Sequence, residues 1–590
     1  MKIDKSKILQ ESKETFLYLS RSIIRTSWLE NHNKNLDYYY DKQWYNHRLK
    51  EGLDEIGCET LTINRIKPLI DRYLSILIKS GKRIGYMATT DSQYHINKAA
   101  DIKNWAFNIQ TQNSHAYFSS LKCLASLSGG IGWSHFYNED SKFYYENVDP
   151  REMYLDPDDM SPRCENQNVI ARSYFVNINR LNNLYPKYKS DFEHLVQGYK
   201  NSTLTINSDD FSSVSENVWV SGRNIRVVEL YEKKTEKYYE TTATLEGDDS
   251  DLKQEYVFST FSEEVANKKA ISDVKIKEGT KIYKTVFCDN ILLFHGPIEG
   301  QIPNQKFFPY VPVVFSRNLK GEFLGITNYM ISLQDLWNNE ISKLFHYSNS
   351  KLILIDAPIA DYEATLAQWT LQSKKKRGII TGNHDKTKII DNSVNIEAIL
   401  KALDLINREF QNLSGLFDDF AGKPTNAESG IAIQTRVTTT LNAQNSLVLA
   451  YEHMLVSEGT LMLDTLKGIE NFKEMISYYS HGNKETSILD DNICILNFDI
   501  YPDTSSNFNS TIEEEKEIFN TILSSGFADM LLSSPLFLQK EGMSESSAYS
   551  CANEYKRVLI EKMQLQQGII PGQEGNTNQQ NTTEDDLNGN

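Results

Sequence analysis

The sequence contains GITNYMISLQDLWNNEISKL at residues 325–344, a stretch with the apolar spacing of a long helix. Its large apolar side chains recur at every third or fourth position: Ile326, Met330, Leu333, Trp337, Ile341 and Leu344. Residues 394–413 repeat this spacing with Ile396, Ile399, Leu400, Leu403, Ile406 and Phe410. The sequence therefore predicts two long amphipathic helices, each with a face that must pack against another apolar surface.

A small αβ segment is predicted between the two helices, at residues 348–392. It contains a strand (KLILID), a helix (ADYEATLAQWTL), a basic run and a second strand (GIITG). The basic run consists of Lys374, Lys375, Lys376 and Arg377. A short run of like charges is typical of a solvated surface, so the run is expected to face solvent.

The chain after the second helix begins with a loop at 414–429 that is rich in Gly, Asp, Pro and Asn. A helix of about forty residues is predicted from Gly430 to Leu466, well above the usual ~11–12 residues. Strands are expected around 475–500 and a helical pair around 511–566. The tail after Gly568 is rich in Gln, Asn, Asp and Glu and is predicted to be disordered.

The N-terminal half is predicted to combine helices with strands. Helices are expected in the first 23 residues, after Asn64, at about 95–108 and at 114–127, and the last is followed by a hairpin. Residues 165–315 read as strand-rich, with NVIARSYFV, RVVELYEK, EYVFSTF, KIYKTVFC and ILLFHG as the strands. The predicted fold class is therefore α+β.

The amino-acid composition indicates an acidic globular protein. The 590 residues include 62 Lys+Arg and 79 Asp+Glu, giving a net charge of −17, which argues against a basic surface that wraps nucleic acid. Hydrophobic residues make up 40%, as in globular proteins. No apolar run reaches 18 residues and the start lacks a signal-peptide core, so no membrane association is expected. The six cysteines are scattered without a CxxC pair, which favours a reducing compartment.

The sequence offers little catalytic chemistry. The glycine cluster at 128–132 follows a predicted helix and precedes a strand, the reverse of a phosphate-binding loop, and reads as a helix terminator. No zinc-ligand spacing or nucleophile elbow is present. Asp156, Asp158 and Asp159 offer three oxygen donors, but the glycine and distal glutamate of a calcium loop are missing, so an acidic surface turn is the simpler interpretation. No enzymatic activity and no cofactor are expected.

The order of these segments resembles the portal proteins of tailed bacteriophages, most closely the short-tailed-phage type. The resemblance lies in GIT and LQDLWNNEISKL, the αβ insertion, the returning helix, AESGIAIQTRVTTTL and DIYPDTSSNFNSTIEEEKEIFNTIL. INRIKPLIDRYLSILIKSGKRI and FYYENVDPREMYLDPDD look like the wing core of that family. The resemblance covers roughly residues 63–566.

The resemblance implies a portal fold with a mixed α/β wing, a helical stem, a small αβ clip, a long tunnel helix and a helical crown. The corresponding ranges here are wing 1–324, stem 325–347, clip 348–392, stem 393–413, tunnel loop 414–429, wing 430–510, crown 511–567 and tail 568–590. It also implies a dodecameric ring at one capsid vertex of the virion, through which double-stranded DNA is packaged and ejected. The expected partners are a terminase motor, tail adaptor proteins, and the major capsid and scaffolding proteins.

The resemblance and the residue types together predict roles for several residues. Asp418, Asp419 and Glu428 in the tunnel loop would repel phosphate, and Lys423 would be a transient DNA contact. The clip strands would pair with a neighbouring subunit's edge. Trp337 and Leu403 would pack on neighbouring subunits, because the two helices carry more apolar surface than a pair can bury. Two alternatives stay open: a metal-dependent nucleic-acid-processing enzyme using Asp156, Asp158 and Asp159, and a multi-domain scaffold or adaptor.

Overall fold

A computed structural model gives the architecture of most of the chain. The described residues are 5–79, 82–90, 92–139, 142–200, 218–243, 256–348, 351–356, 362–372, 377–382, 388–391, 393–414, 445–469, 472–480, 483–503, 533–535, 538 and 551–559. Helices alternate with several separate sheets, so the predicted α+β class is confirmed. Within this described part, no helix is long and apolar enough to cross a membrane.

The helices are numbered in chain order. They are α1 (Lys5–Ser20), α2 (Ile23–Tyr39), α3 (His47–Glu55), α4 (Ile66–Lys79), α5 (Gln93–Gln112), α6 (His115–Gly129), α7 (Ile178–Leu184), α8 (Lys189–Lys200), α9 (Glu263–Lys269), α10 (Ile326–Ser348), α11 (Tyr362–Gln372), α12 (Ser393–Ser414) and α13 (Asn445–Lys467). Residues 551–559 are also helical.

The strands are numbered in the same way. They are β1 (Arg83–Ala88), β2 (Ile131–Glu139), β3 (Lys142–Val148), β4 (Met153–Leu155), β5 (Val169–Asn177), β6 (Val220–Ser221), β7 (Asn224–Ala243), β8 (Tyr256–Thr260), β9 (Lys275–Cys288), β10 (Ile291–Pro297), β11 (Tyr310–Val314), β12 (Lys351–Asp356), β13 (Arg377–Gly382), β14 (Lys388–Asp391), β15 (Glu474–Ser480), β16 (Asn483–Leu489) and β17 (Phe498–Asp503).

Five sheets result from these strands. The largest has the order β10-β9-β7-β5-β4, with β6 and β8 also paired to β7. A second sheet, β11-β2-β3, contains the predicted hairpin, and a third, β13-β12-β14, lies between α10 and α12 in the chain. The pairs β1-β17 and β15-β16 complete the set. All five segments predicted as strands within residues 165–315 are confirmed, whereas α7, α8 and α9 in that region were missed.

The main core lies where the large sheet faces the β11-β2-β3 sheet. It contains Trp28 of α2, Trp133 of β2, Tyr231 of β7 and Tyr310 of β11, all buried. Glu229 of β7 accepts hydrogen bonds from the surrounding tyrosine hydroxyls, including that of Tyr231 at 3.1 Å. Burial would raise the pKa of the Glu229 carboxyl, but nearby positive charge, chiefly that of a lysine on β9, lowers it to about 2.

Two N-terminal details depart from the sequence prediction. The first helix ends at Ser20, and Ile23 begins α2 instead of continuing α1. Phe16 and Leu19 supply most of the buried apolar surface of α1, packing on the large sheet, whereas Thr15 faces solvent. The spacing alone could not reveal the break, because Ile23 falls where a continuous helix would place its next apolar residue.

Helix α4 begins as predicted after Asn64. The side-chain oxygen of Asn64 accepts hydrogen bonds from the backbone N–H groups of Ile66 and Lys67, which caps the helix. The predicted apolar face is buried, with Ile66, Ile70 and Tyr73 almost fully covered.

The glycine cluster at 128–132 is the predicted helix terminator. Gly130 follows α6 with φ of 90°, and its N–H donates to the carbonyl of Ser126 at 2.8 Å, before β2 begins at Ile131. A Cβ at residue 130 would overlap the backbone of Phe323 and Leu324, which lie against this turn. The turn therefore requires glycine for two reasons, a left-handed backbone and close contact with the chain entering α10.

The chain divides into two compact units. One contains residues 1–476 and 487–502, and the other contains residues 477–486 and 503–590. All contacts discussed below lie within the first unit. Within the second, the described residues include the helical stretch 551–559, where Ala552 is buried.

Replacing Gly130 with Ala tests the turn. Gly130→Ala should lower the melting temperature strongly, because it combines a strained backbone with steric overlap. Gly222→Ala is the matched control, since Gly222 also has positive φ (62°) but has open space around its Cβ position. The control should cost only about 1–2 kcal/mol. Equal melting temperatures for the two variants would contradict this account of the turn.

Candidate functional site

Helices α10 and α12 pack against each other and form the site that the sequence singles out. Their shared apolar cluster contains the buried side chains Ile341, Ile399 and Leu403, with Trp337 and Leu344 packed around it. Trp337 and Leu403, predicted as packing residues, are thus brought together within one chain. Leu403 is only 6% exposed, so its own helix partner already covers it.

A second face of α10 is polar and buried. Gln334, Asn338 and Ser342 recur every four residues, and each is at most 1% exposed. Their side chains accept hydrogen bonds from three backbone N–H groups of the extended segment at 61–65: Arg65 to Gln334 (2.9 Å), Ile63 to Asn338 (3.1 Å) and Leu61 to Ser342 (2.9 Å). The backbone of this segment is therefore held along α10 by a regular row of hydrogen bonds, whose acceptors are side chains of the helix.

Arg65 connects this segment to both helices. Its guanidinium lies over the Trp337 ring, 4.5 Å from the ring centre, and it donates to the side-chain oxygen of Asn407 on α12. A cation stacked on an aromatic ring and bonded to the second helix holds the two helices in one relative position.

A groove of about 720 Å³ opens between α4, α10 and α12. Its apolar lining includes Leu69, Trp337, Leu400 and Phe410. The indole N–H of Trp337 is buried and has no hydrogen-bond partner among the described residues.

Large apolar side chains also face outward from the pair. On α10 these are Tyr329, Leu336 and Phe345, and on α12 they are Leu400, Leu405 and Leu413. Each is between 44% and 59% exposed. Tyr329 and Leu336 are seven residues apart and therefore lie on the same side of α10, where they form an exposed apolar strip.

A buried ion pair anchors the helix α13. Lys122 on α6 and Glu458 on α13 pair directly, and both side chains are almost completely buried. Ser134 and Tyr145 donate further hydrogen bonds to the same carboxylate, at 2.8 and 2.6 Å, and the ring of His115 lies 3.0 Å from it. The sequence did not predict this cluster, because its members are far apart in the chain.

The electrostatics of this cluster favour a charged Glu458. Burial alone would raise the pKa of the Glu458 carboxyl, but the charge of Lys122 and the bond to His115 outweigh burial and hold the pKa well below its usual range. Burial lowers the pKa of the His115 imidazole. The result is one carboxylate with donors on four sides, which cross-links α13 to α6, β2 and β3.

The sequence of this chain matches one known protein family. The model of the family described as Phage P22-like portal protein matches residues 24–492, which is most of the chain. The chain belongs to this portal family. The match begins before Ile63, where the resemblance in sequence began, and ends before the segment predicted as crown. A search of curated proteins found no match.

The portal family consists of structural, non-enzymatic proteins. The side chains of all three aspartates considered as metal ligands accept hydrogen bonds within the protein, and that of Asp158 accepts one from the hydroxyl of Tyr18 at 3.2 Å. The side-chain oxygens of Asp156 and Asp159 accept bonds from backbone N–H groups two residues later, and Gln167 donates to Asp159 at 2.6 Å. Within the described residues, no group of three His, Cys, Asp or Glu side chains is placed to hold a metal ion.

The αβ segment of this portal protein has the predicted elements, β12, α11 and β13, with one addition. Strand β12 pairs in parallel with β13 and antiparallel with β14. KLILID is therefore the central strand, and the prediction that it pairs with a neighbouring subunit is wrong, because both of its edges are already bonded. Lys374, Lys375 and Lys376 lie outside the described residues. Arg377 begins β13, but its side chain is outside the description.

The predicted tunnel loop is described only at its first residue. The carbonyl of Ser414 accepts a hydrogen bond from the hydroxyl of Tyr73 on α4. Residues 415–444 lie outside the described structure, and with them Asp418, Asp419, Lys423, Glu428 and the first part of the predicted long helix. The described part of that helix, α13, ends within one residue of the predicted end.

The buried ion pair can be tested by a double-mutant cycle. Lys122→Met or Glu458→Gln alone should lower the free energy of unfolding by about 3–5 kcal/mol, because each leaves the other group buried and less well paired. The double variant should lose less than the sum. As the pKa of Glu458 is lower in the folded protein, its contribution is complete above about pH 4.5 and is lost as the pH falls below that value.

The control for this cycle is Glu397→Gln, which removes an exposed pair with Lys401 on α12. That change should cost at most about 0.5 kcal/mol. Denaturant midpoints for Lys122→Met and Glu458→Gln that match the control would show that the buried pair does not anchor α13.

Proposed function

We propose that this portal protein assembles into a closed ring, with twelve subunits, at one vertex of a phage capsid. Double-stranded DNA would enter the capsid through the ring during packaging and leave through it during ejection. Family membership across residues 24–492 supports a portal role. Assembly into a ring is supported by the exposed apolar side chains of α10 and α12, which a single subunit does not bury.

In this proposal α10 and α12 form the stem of the ring. Burying apolar surface contributes about 25 cal/mol for each Å², so several half-exposed leucine and aromatic side chains per subunit supply substantial association energy. Heterologous contacts that repeat around an axis close into a ring. The neighbouring subunit would cover Tyr329 and Leu336, which lie on one side of α10, with an exposed apolar surface of its own.

Trp337 and Leu403 have different roles in this arrangement. Leu403 holds the two helices of one chain together, so its substitution would disturb the subunit before the ring. Trp337 borders the groove, so the accessible part of its ring would contact a neighbouring copy. Packing of Trp337 against another subunit remains a prediction.

The segment 348–392 is proposed as the clip that docks the terminase motor and the tail adaptor proteins. Among the described strands, β13 and β14 each pair only with the central β12, so the outer edge of each is available for pairing. Edge strands of this kind pair with strands of other chains. The wing would contact the major capsid and scaffolding proteins, and the energy for DNA movement would come from a separate ATPase.

The DNA channel is proposed to be acidic and weakly binding. Each subunit carries a net charge of −17, and every tight contact between a cation and a phosphate would slow sliding. The tunnel loop at 414–429 would supply Asp418, Asp419 and Glu428 as repelling groups, with Lys423 as a transient contact. The first residue of this loop, Ser414, is held in position by its hydrogen bond to Tyr73 of α4.

Ring assembly is tested by charging the outward face of α10. The double variant Tyr329→Asp/Leu336→Asp should keep the folded subunit but lose rings, because two carboxylates cannot be buried unpaired at an interface. Circular dichroism would report folding, and analytical ultracentrifugation with negative-stain microscopy would report rings.

The matched control is Leu319→Asp, which charges a leucine that is fully exposed and lies outside the helix pair. This control should assemble like the parent protein. If the Tyr329/Leu336 variant also formed rings as readily as the parent, the proposed stem face would be ruled out.

The tunnel loop is tested by reversing its charge. Asp418→Lys/Asp419→Lys/Glu428→Lys should still form rings but package less DNA and release it more slowly, because the new cations would bind phosphate. The readouts are the length of packaged DNA and the rate of ejection. Unchanged packaging and ejection in a ring-competent triple variant would remove this loop from the channel.

A further inference from the structure

The groove between α4, α10 and α12 and the exposed apolar strip of α10 are two different surfaces of one subunit. Trp337 lines the groove, whereas Leu336, the residue before it, belongs to the strip. Consecutive residues lie about 100° apart around a helix, so the strip and the groove face different directions. A contact between two unlike surfaces is heterologous, and contacts of this kind repeat into a closed ring or an open filament.

The strip has the residue spacing of a helix that docks in a groove. Tyr329 and Leu336 are seven residues apart, and Leu333, four residues after Tyr329, lies between them on the same side and is partly exposed. Apolar anchors at positions i, i+4 and i+7 are those that amphipathic helices insert into hydrophobic grooves. From the rise of an α-helix, the three anchors span about 10 Å.

The groove is long enough to hold such a stretch of helix. On α12 its lining extends from Leu400 to Ser414, a rise of about 21 Å along the helix axis. Its floor is apolar, because Leu69, Leu403 and Phe410 are buried there, and Leu400 is about half exposed in the single subunit. An apolar anchor placed over this floor would cover Leu400.

Polar groups at the border of the groove suit the tyrosine of the strip. Arg72 of α4 and Gln411 of α12 line the groove, and Arg72 has no ion pair within the described residues. The hydroxyl of a tyrosine usually finds a hydrogen-bond partner when its ring is buried. A guanidinium or an amide at the border would supply that partner for Tyr329 once its ring left solvent.

We propose that the strip on α10 of one subunit lies in the groove of the next subunit, so that residues of a neighbouring copy complete each groove. This inference rests on the proposed ring, because it names the occupant of the groove within that assembly. The two surfaces then form a single contact, in which Tyr329 and Leu336 of one copy meet Trp337 and Leu400 of the next. The apolar area buried there contributes about 25 cal/mol for each Å².

Disulfide formation between copies tests this contact in the assembled full-length protein. The double variant Leu336→Cys/Leu400→Cys should form covalently linked oligomers on mild oxidation, because a cysteine of the strip lies beside a cysteine of the next groove. Denaturing electrophoresis without reductant separates these oligomers from monomers, and a link within one chain would leave a monomer. Negative-stain microscopy of the same samples reports rings.

The matched control is Leu336→Cys/Leu405→Cys. Leu405 is also an exposed leucine of α12, but it does not line the groove, so this variant should form rings without linked oligomers. Leu336→Cys alone should also give no linked dimers, because a contact between unlike surfaces keeps the two strips apart. The parent protein sets the background from its own cysteines, of which Cys494 and Cys551 are not fully buried.

A charge pair provides a second measurement that does not depend on cysteine chemistry. Leu336→Asp should raise the protein concentration needed for ring assembly at least about tenfold, because a carboxylate would be buried there without a partner. Adding Leu400→Lys should restore most of this loss, since the two charges would meet in the groove. Adding Leu405→Lys instead should restore little.

The outcomes separate this inference from the ring itself. Rings that link through Leu336→Cys/Leu405→Cys but not through Leu336→Cys/Leu400→Cys would overturn the inference and leave the ring standing. Linked dimers of Leu336→Cys alone, or equal rescue by the two lysine substitutions, would overturn it as well. Failure of the parent protein to form rings would overturn the proposed function and this inference together.

Discussion

Buried polar groups must find hydrogen-bond partners, and on α10 this constraint determines how the helix pair is held. Gln334, Asn338 and Ser342 would be costly in a core, but each bonds the backbone of residues 61–65. That segment leads directly into α4 and brings Arg65 onto Trp337 and Asn407. One face of α10 therefore positions α4 and α12 together, while Tyr329 and Leu336 on the opposite side are about half exposed.

The ion pair of Lys122 and Glu458 plays a comparable part for the rest of the subunit. It joins α13 to α6 and to the hairpin of β2 and β3, and α6 in turn reaches α10 through the turn at Gly130. A buried ion pair is weak evidence for net stability, but it specifies one arrangement, since any other leaves a charge unpaired. These two sets of polar contacts thus fix the positions of α4, α6, α10, α12 and α13, and they leave Tyr329 and Leu336 of α10 exposed.

Apolar periodicity predicted much of this fold, including the bounds of α10, α12 and α4 to within a few residues. It could not predict the buried polar row on α10, because residues such as Gln334 and Asn338 read as a solvent-facing side of an amphipathic helix. Strand order is equally invisible to periodicity, so KLILID was predicted as an edge although β14 pairs with it. The cluster around Glu458 joins positions more than 300 residues apart in the chain, which no local pattern reveals.

The ring is the claim on which the proposed function depends, and imaging the purified full-length protein tests it most directly. Single-particle electron microscopy should show closed rings of twelve subunits with a central channel, in which α10 and α12 of adjacent copies are in contact through Tyr329 and Leu336. A protein that stays monomeric at all concentrations, or rings in which this face of α10 is exposed to solvent, would contradict the account.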